Sequence, residues 1–347
     1  MEVKYKKLAE NLVEWYPSHA RDLPWRKDKN PYHVWLSEIM LQQTRVEAVK
    51  EYYKRFLEKF PTIEALANAE DDTLMKMWEG LGYYNRARNL KKAAIQVTEE
   101  LGGNFPASYD AILELPGIGE YTAGAVGSIC FDLPTPAVDG NVLRVYTRVM
   151  EDASVIDKQT VKRRIRDDLV QVYSLGHCNI LTQSLMEVGA TICLPNGAPK
   201  CEDCPLKSIC LSYEHGTWQK YPVREPKKKR KIEEKSVLML RCEDKLAVRK
   251  RTAPGLLHGL WEFPNIEGRH STKEVLDYAS KLNVHPKEIW MESSYTHIFS
   301  HVEWHMSAYF IECADVIPDF QWVTIDELDN TIAVPSAFRP FKELLIG

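Results

Sequence analysis

The sequence predicts a multidomain chain, all-α over residues 1–215 and α+β over residues 235–347. Three observations carry that reading. Helical periodicity punctuated by prolines runs through the first part, short alternating segments follow, and Gly216 to Glu234 separates the two textures. That separating stretch holds Pro222, Pro226 and the run Lys227-Lys228-Lys229-Arg230-Lys231, and reads as a solvated basic linker able to brush a polyanion. A chain of 347 residues with 44% hydrophobic content has enough apolar material for two cores. The formal net charge of −4 argues against a uniformly basic coat and leaves room for a local basic face. The start, Met1-Glu2-Val3-Lys4-Tyr5-Lys6-Lys7, is charged, and no run reaches the roughly 18 apolar residues of a membrane span. A cytoplasmic protein without a secretion signal is therefore expected.

Through residues 1–215 the helices are interrupted at Pro17, Pro24, Pro31, Pro61, Pro106, Pro116 and the Pro134/Pro136 pair, since proline removes an N–H and blocks the preceding turn. After Pro31, the stretch from Val34 to Arg45 predicts a helix on which Glu38 shares a row with Val34 and Leu41. Apolar neighbours favour a protonated carboxyl, the form a general acid needs near neutral pH. The competing reading is a carboxylate that reaches water. One turn on, Gln42, Gln43 and Thr44 form an uncharged hydrogen-bonding cluster suited to base edges.

Leu115-Pro116-Gly117-Ile118-Gly119 leads into the small-residue helix Glu120-Tyr121-Thr122-Ala123-Gly124-Ala125. A turn through Gly117 and Gly119 exposes backbone N–H groups at a positive helix end, a site for a phosphate oxygen; taken alone, it is equally a tight packing turn. Val138-Asp139-Gly140-Asn141-Val142 follows, with Asp139 as a turn or capping acid just before Asn141, the expected N-cap of a helix over Val142–Val149. Two carboxyls in unlike surroundings can break a sugar C1 bond, one protonating the departing group while the other stays ionised beside the sugar cation. That chemistry requires Glu38 and Asp139 to face one pocket.

Of eight cysteines, Cys130, Cys178, Cys242 and Cys313 stand alone and read as small hydrophobes. Cys193-x7-Cys201-x2-Cys204-x5-Cys210 offers four thiolates at compact spacing, suited to a [4Fe–4S] cluster or a structural zinc. Lys200 and Lys207 between them would set positive charge beside a phosphate backbone. Beyond the linker, strands are expected at Ser236–Arg241, Lys245–Lys250, Leu260–Pro264, through Tyr295–Glu312 and at Phe320–Val323. Helices are expected near Ser271–Leu282 and Ala337–Leu345, among antiparallel strands.

With Gly80-Leu81-Gly82-Tyr83-Tyr84 and Phe299-Ser300-His301 added to these motifs, the chain resembles the helix-hairpin-helix DNA glycosylases, and within them the MutY-type adenine DNA glycosylases, over nearly its whole length. The resemblance implies a six-helix helix-hairpin-helix module at about 26–135 and an iron–sulfur lobe from 1–25 and 136–215. It implies the linker at 216–234 and a Nudix-like α+β domain at 235–347. The implied activity is removal of adenine mispaired with 8-oxoguanine or guanine in double-stranded DNA, by a monomer, at the nucleoid if the source is prokaryotic.

By the same resemblance Glu38 protonates adenine N7, and Asp139 stabilises or transiently bonds the sugar. Tyr121 and Asn141 line that pocket, and Arg26 and Gln183 hold the flipped adenine. Gln43 and Leu81 wedge the opened stack with Tyr83 beside them. Thr44 and Ser300 contact 8-oxoguanine, while Phe299 and His301 shape the loop around it. The backbone at Gly117 and Gly119 takes DNA phosphate, and Cys193, Cys201, Cys204 and Cys210 hold a [4Fe–4S] cluster. Tyr121 occupies the position at which endonuclease III-like relatives carry a lysine that forms an imine with the sugar, so strand cleavage is not expected. The Cys193–Cys201 spacing is one residue longer than the family's usual one, with Gly197 placed to absorb it. The region Lys273–Ser280 lacks the Glu-rich helix of a Nudix hydrolase, which implies recognition instead of pyrophosphate hydrolysis. The rival readings are a glycosylase for another mispaired base and a non-catalytic mismatch-binding protein.

Overall fold

Capping chemistry sets the helix boundaries. Asn30, Thr62, Ser108 and Asp139 each accept a backbone N–H at the start of the helix that follows, satisfying donors that have no intrahelical partner. The computed structural model describes residues 2–226, 229–253 and 255–346. Lys227 and Lys228 of the basic run lie outside the described residues. In chain order the helices are α1 (Glu2–His19), α2 (Pro31–Leu41), α3 (Val46–Lys59), α4 (Ile63–Ala67), α5 (Asp71–Met77), α6 (Asn85–Glu100), α7 (Tyr109–Leu113), α8 (Glu120–Phe131), α9 (Gly140–Met150), α10 (Gln159–Tyr173), α11 (Cys178–Thr191) and α12 (Leu211–Glu214). Pro17 does not break a helix as expected. It lies in the last turn of α1, where only one ladder bond is lost and Ala20 N still donates to Tyr16 O. Among the described residues no helix is long and apolar enough to cross a membrane.

The chain divides into two units, Met1–Asn68 with Arg88–Pro226, and Ala69–Ala87 with Lys227–Gly347. In the first, α1, α9, α10 and α11 share a core through Leu8, Leu12, Val145, Ile165, Leu185 and Val188. Each such side chain is worth roughly 1.5–3 kcal/mol on burial. Small residues let segments approach. A Cβ at Gly124 would stand 2.6 Å from the Pro136 carbonyl oxygen, so glycine lets that segment cross α8 closely on its way to Asp139.

The second unit is a mixed sheet of β1 (Lys231–Cys242), β2 (Lys245–Lys250), β3 (Trp261–Glu262), β4 (Asn265–Glu267), β5 (Pro286–Ile298), β6 (Val302–Cys313) and β7 (Gln321–Thr324). The order is β3-β2-β1-β6-β5, with β4 on β1 and β7 on β2. Helices α13 (Thr272–Lys281), α14 (Ile325–Asn330) and α15 (Arg339–Ile346) complete it, α13 and α14 each beginning in a capping box. Val237, Met239, Trp304 and Phe310 pack on one face with Phe338 and Phe341, while Leu238, Leu240 and Ile311 pack on the other with Val275 and Ala279.

Two features differ from the sequence reading. β1 and β6 pair in parallel, Lys231 opposite Val302 through Arg241 opposite Glu312, where antiparallel pairing was expected. Alternation marks which face a residue takes and carries no strand direction. β1 also starts inside the stretch read as linker: Lys231 pairs with Glu233, and Glu233 accepts from Trp304 Nε1, so partners found in the fold support a run too charged to read as strand. The segment 69–87, between helices in sequence, packs within the second unit. Asp72 meets Lys250 at 2.8 Å, Glu79 accepts from Val334 N at 3.1 Å, and Lys76 donates to Ile332 O at 3.1 Å.

Candidate active site

Nearly every residue of α2 from Tyr32 to Met40 is buried, so Glu38 is carried inward by its helix and is only 5% exposed. Tyr121, at the second position of α8, donates its hydroxyl to Glu38 Oε2 at 2.5 Å. Burial pushes the Glu38 carboxyl up from 4.5 to about 7; the Tyr121 hydrogen bond opposes this, the charge of Asp139 adds to it and that of Arg26 opposes it. The hairpin before α8 depends on Gly117, whose φ is +77° and whose side-chain position would fall 2.5 Å from Asn89 Cβ. Gly119 caps α8 in an extended conformation with no side-chain hydrogen bond.

Asp139 caps α9. Its Oδ1 accepts from Asn141 N at 2.9 Å and Val142 N at 2.8 Å, and its Oδ2 accepts from Asn141 Nδ2 at 2.8 Å. Burial raises the Asp139 pKa, while the Val142 and Asn141 donors and the Arg144 charge favour the anion. Asn141 is itself held, since Arg144 Nη2 donates to its Oδ1 at 2.8 Å. Arg144 also reaches Gly189 O and Cys193 O, each at 2.7 Å. At Gly189 a Cβ would meet Asn141 Cβ at 2.6 Å, so only glycine lets α11 lie this close to the start of α9. No motif singled out Gly189 or Arg144 in the sequence.

One cleft of about 560 Å³ is lined by Glu38, Tyr121, Asp139 and Asn141 together with Arg26, Gln43, Thr44 and Gln183. Its size suits a small-molecule or base-sized guest. The two acids thus share a cavity although distant in sequence. Gln42, singled out with Gln43 and Thr44, lines the same wall; sequence reasoning missed Arg21 and Trp25 there, and Glu187 behind them. Glu187, fully buried, accepts from Arg21 Nε at 2.6 Å and Arg26 Nη2 at 2.7 Å. Burial alone would raise its pKa, but the two arginines outweigh it and hold the carboxyl below its ordinary value. An acid inside the apolar run Leu185-Met186-Glu187-Val188 was the available signal. Gln183 is fixed at both ends, accepting from Tyr16 at 3.0 Å and donating to Asn179 O at 3.2 Å.

Cys193, Cys201, Cys204 and Cys210 line a second cavity with Arg148, Lys207 and Trp218. Arg148 donates to Cys193 Sγ at 3.3 Å and to Leu194 O at 2.9 Å. The longer Cys193–Cys201 loop closes by a bond from Lys200 N to Ile192 O, with Gly197 at φ +76°. Lys207 pairs with Glu202 instead of standing free. Burial raises the Cys204 thiol to about 12. Among the described residues no three His, Cys, Asp or Glu side chains stand close enough to hold a metal ion together.

Residues 36–169 match the model of the HhH-GPD superfamily of base excision DNA repair proteins, and residues 236–344 match that of the NUDIX domain. The adenine DNA glycosylase of Buchnera aphidicola subsp. Schizaphis graminum (strain Sg) is 35% identical over 297 residues, covering 85% of this chain and 84% of that protein. The chain belongs to the adenine DNA glycosylase family.

A further relative of this glycosylase is the adenine DNA glycosylase of Homo sapiens, 30% identical over 398 residues, covering 95% of this chain and 72% of that protein. Among solved structures, a thermostable thymine-DNA glycosylase is 30% identical with a TM-score of 0.54, covering 61% of this chain and 98% of that one. A trapped endonuclease III–DNA covalent intermediate shares the fold at 23% identity and a TM-score of 0.53, covering 62% and 98%.

The remaining sequence-predicted residues of the glycosylase lie in the second unit. Leu81 is buried and Tyr83 is 47% exposed at φ +48°; Arg86 Nη2 fixes their loop by donating to Leu81 O at 2.9 Å and Gly82 O at 3.1 Å. Phe299, Ser300 and His301 form the tip of the β5–β6 hairpin, closed by Phe299 N to Val302 O at 2.9 Å. Phe299 packs edge-on against His297 and Trp304, leaving Ser300 and His301 exposed, with Ser300 Oγ 3.2 Å from His301 Nδ1.

Proposed function

We propose that this chain hydrolyses the N-glycosidic bond of adenine mispaired with 8-oxoguanine, or with guanine, in double-stranded DNA, and does not cleave the strand. The observation that carries this reading is that Glu38 and Asp139, in unlike hydrogen-bonding surroundings, line one cleft. Tyr121 occupies Glu38 Oε2, leaving Oε1 to carry the acid proton towards N7 of the bound purine. As the C1′–N9 bond breaks, its electron pair leaves with the adenine, and the ionised Asp139 stabilises the sugar cation or briefly bonds it. Water then adds to C1′, and its proton restores Glu38. Asn141 orients Asp139; Arg26 and Gln183 hold the base, Gln43 and Leu81 fill the opened stack, and Tyr83 lies beside them. The N–H groups about Gly117 and Gly119 take a backbone phosphate. Thr44 and Ser300 contact the 8-oxoguanine, with Phe299 and His301 shaping that loop. The flipped base costs a few kcal/mol of unstacking, least at a mismatch. The enzyme acts as a monomer in the cytoplasm, at the nucleoid in a prokaryote.

The test uses duplexes with A opposite 8-oxoguanine, A opposite G, A opposite T and T opposite G, each with and without alkali. Strand breaks are expected only after alkali and only for the first two. Breaks without alkali would contradict the argument from Tyr121, whose phenol forms no imine. Excision from T opposite G alone would favour the rival substrate.

Four half-buried thiols around one largely apolar cavity, with Arg148 donating to the first, fit a [4Fe–4S] cluster held by Cys193, Cys201, Cys204 and Cys210. When bound, the cluster would supply the charge that keeps these thiols ionised. The purified protein is expected to be brown, with about four irons per chain and matching acid-labile sulfide. A colourless protein carrying one zinc would contradict this assignment.

A further inference from the structure

Two arginines that line the candidate cleft, and a third buried behind Asn141, are already engaged. Arg21 and Arg26 are held by Glu187, and Arg144 is spent on Asn141, Gly189 and Cys193. Arg224 differs. Its guanidinium Nη2 stands 4.0 Å from the side-chain position of Gly140, the cleft-lining residue that follows Asp139, and its side chain is 55% exposed. Among the described residues its only hydrogen-bond acceptor is Asp157 Oδ1, at 3.4 Å from Nη1. The backbone beneath is fixed: Ile156 N donates to Val223 O at 3.0 Å, and Glu225 N donates to Asp157 Oδ2 at 2.8 Å. Two short segments, Val155–Asp157 and Val223–Glu225, therefore clamp together and hold one solvated cation beside Gly140.

We propose that Arg224 binds a phosphodiester of the strand carrying the excised base, next to the flipped nucleotide. The proposal rests on the glycosylase reading above. A nucleotide whose C1′ comes up to Asp139 brings its flanking phosphates towards that carboxylate, and like charges repel. A guanidinium with open donors on the far side of Gly140 offsets that repulsion and adds a charge-assisted hydrogen bond. The long, partial contact with Asp157 orients the fork without consuming Nη2.

Binding is measured across a series of KCl concentrations for wild type, Arg224→Ala and Arg224→Lys, on a duplex with 2′-fluoro-2′-deoxyadenosine opposite 8-oxoguanine, which resists glycosidic cleavage. Companion duplexes carry a single neutral methylphosphonate at each linkage flanking that nucleotide. Arg224→Ala is expected to weaken binding roughly tenfold and to reduce the salt slope by about 0.9, with Arg224→Lys keeping the slope. One of the methylphosphonates is expected to weaken wild type to a similar degree and to leave Arg224→Ala unaffected. An unchanged slope in Arg224→Ala, or equal methylphosphonate penalties in both proteins, would overturn the assignment. Excision of ordinary adenine by wild type, followed in parallel, separates the two levels: an inactive wild type sinks the glycosylase reading itself, whereas an active one with an unchanged slope sinks only Arg224.

Discussion

Glu38→Gln is expected to lower the single-turnover rate of adenine release from an A·8-oxoguanine duplex by about 100- to 10,000-fold, the range that a positioned general acid contributes. Glutamine keeps the shape of the side chain and an oxygen to accept the Tyr121 hydroxyl, so the substitution removes the proton and little else. Folding should not suffer. Glu38 holds its proton up to about pH 7 in the native protein, against about 4.5 in the unfolded chain, so the native state binds more protons between those values. The stability associated with that proton is complete below pH 4.5 and is lost as pH rises through 7. At 1.36 kcal/mol per unit the loss is roughly 3 kcal/mol. A neutral glutamine escapes it, so above pH 7 the variant should melt no earlier than wild type. Thermal melts at pH 8 alongside the rate measurements check both halves of the prediction.

Asp139→Asn should cost about 100- to 1,000-fold in the same assay, the usual price of removing one preorganised electrostatic partner of a transition state. Here some destabilisation is expected as well. The new amide nitrogen at the Oδ2 position meets Asn141 Nδ2, donor against donor, and Asn141 cannot turn over without giving up its bond from Arg144. A buried polar group left unmatched costs about 1–3 kcal/mol. Duplex binding should persist in both variants, because neither acid is needed to hold DNA. Persistent excision by Asp139→Asn would remove the anionic partner from the mechanism.

The division into a helical half and a strand-rich α+β half was legible because proline positions, capping residues and alternation are local signals. Glu38 and Asp139 were legible as residue types in motifs. That they line one cavity was not, because the approach depends on Gly124 under Pro136 and Gly189 under Asn141, contacts between segments far apart in sequence. Glu187 and Arg21 escaped for a related reason: the acid gains its meaning from two arginines, 166 and 161 positions earlier in the chain. In the second unit the parallel pairing of β1 with β6, and the packing of Ala69–Ala87 there, are tertiary choices that no run of residues encodes. The charged start of β1 read as linker because Trp304, the partner of Glu233, is supplied only by the fold.

The proposed chemistry turns on a buried carboxyl that is still protonated near neutrality. Its most direct test is the pH dependence of single-turnover adenine release by wild type and Glu38→Gln on the A·8-oxoguanine duplex. Wild type should lose activity as pH rises through about 7, approaching tenfold per unit beyond it, while the residual rate of Glu38→Gln should show no such limb. A wild-type rate that holds level or climbs to pH 9, or a variant that keeps the same falling limb, would contradict the assignment of Glu38 as the acid.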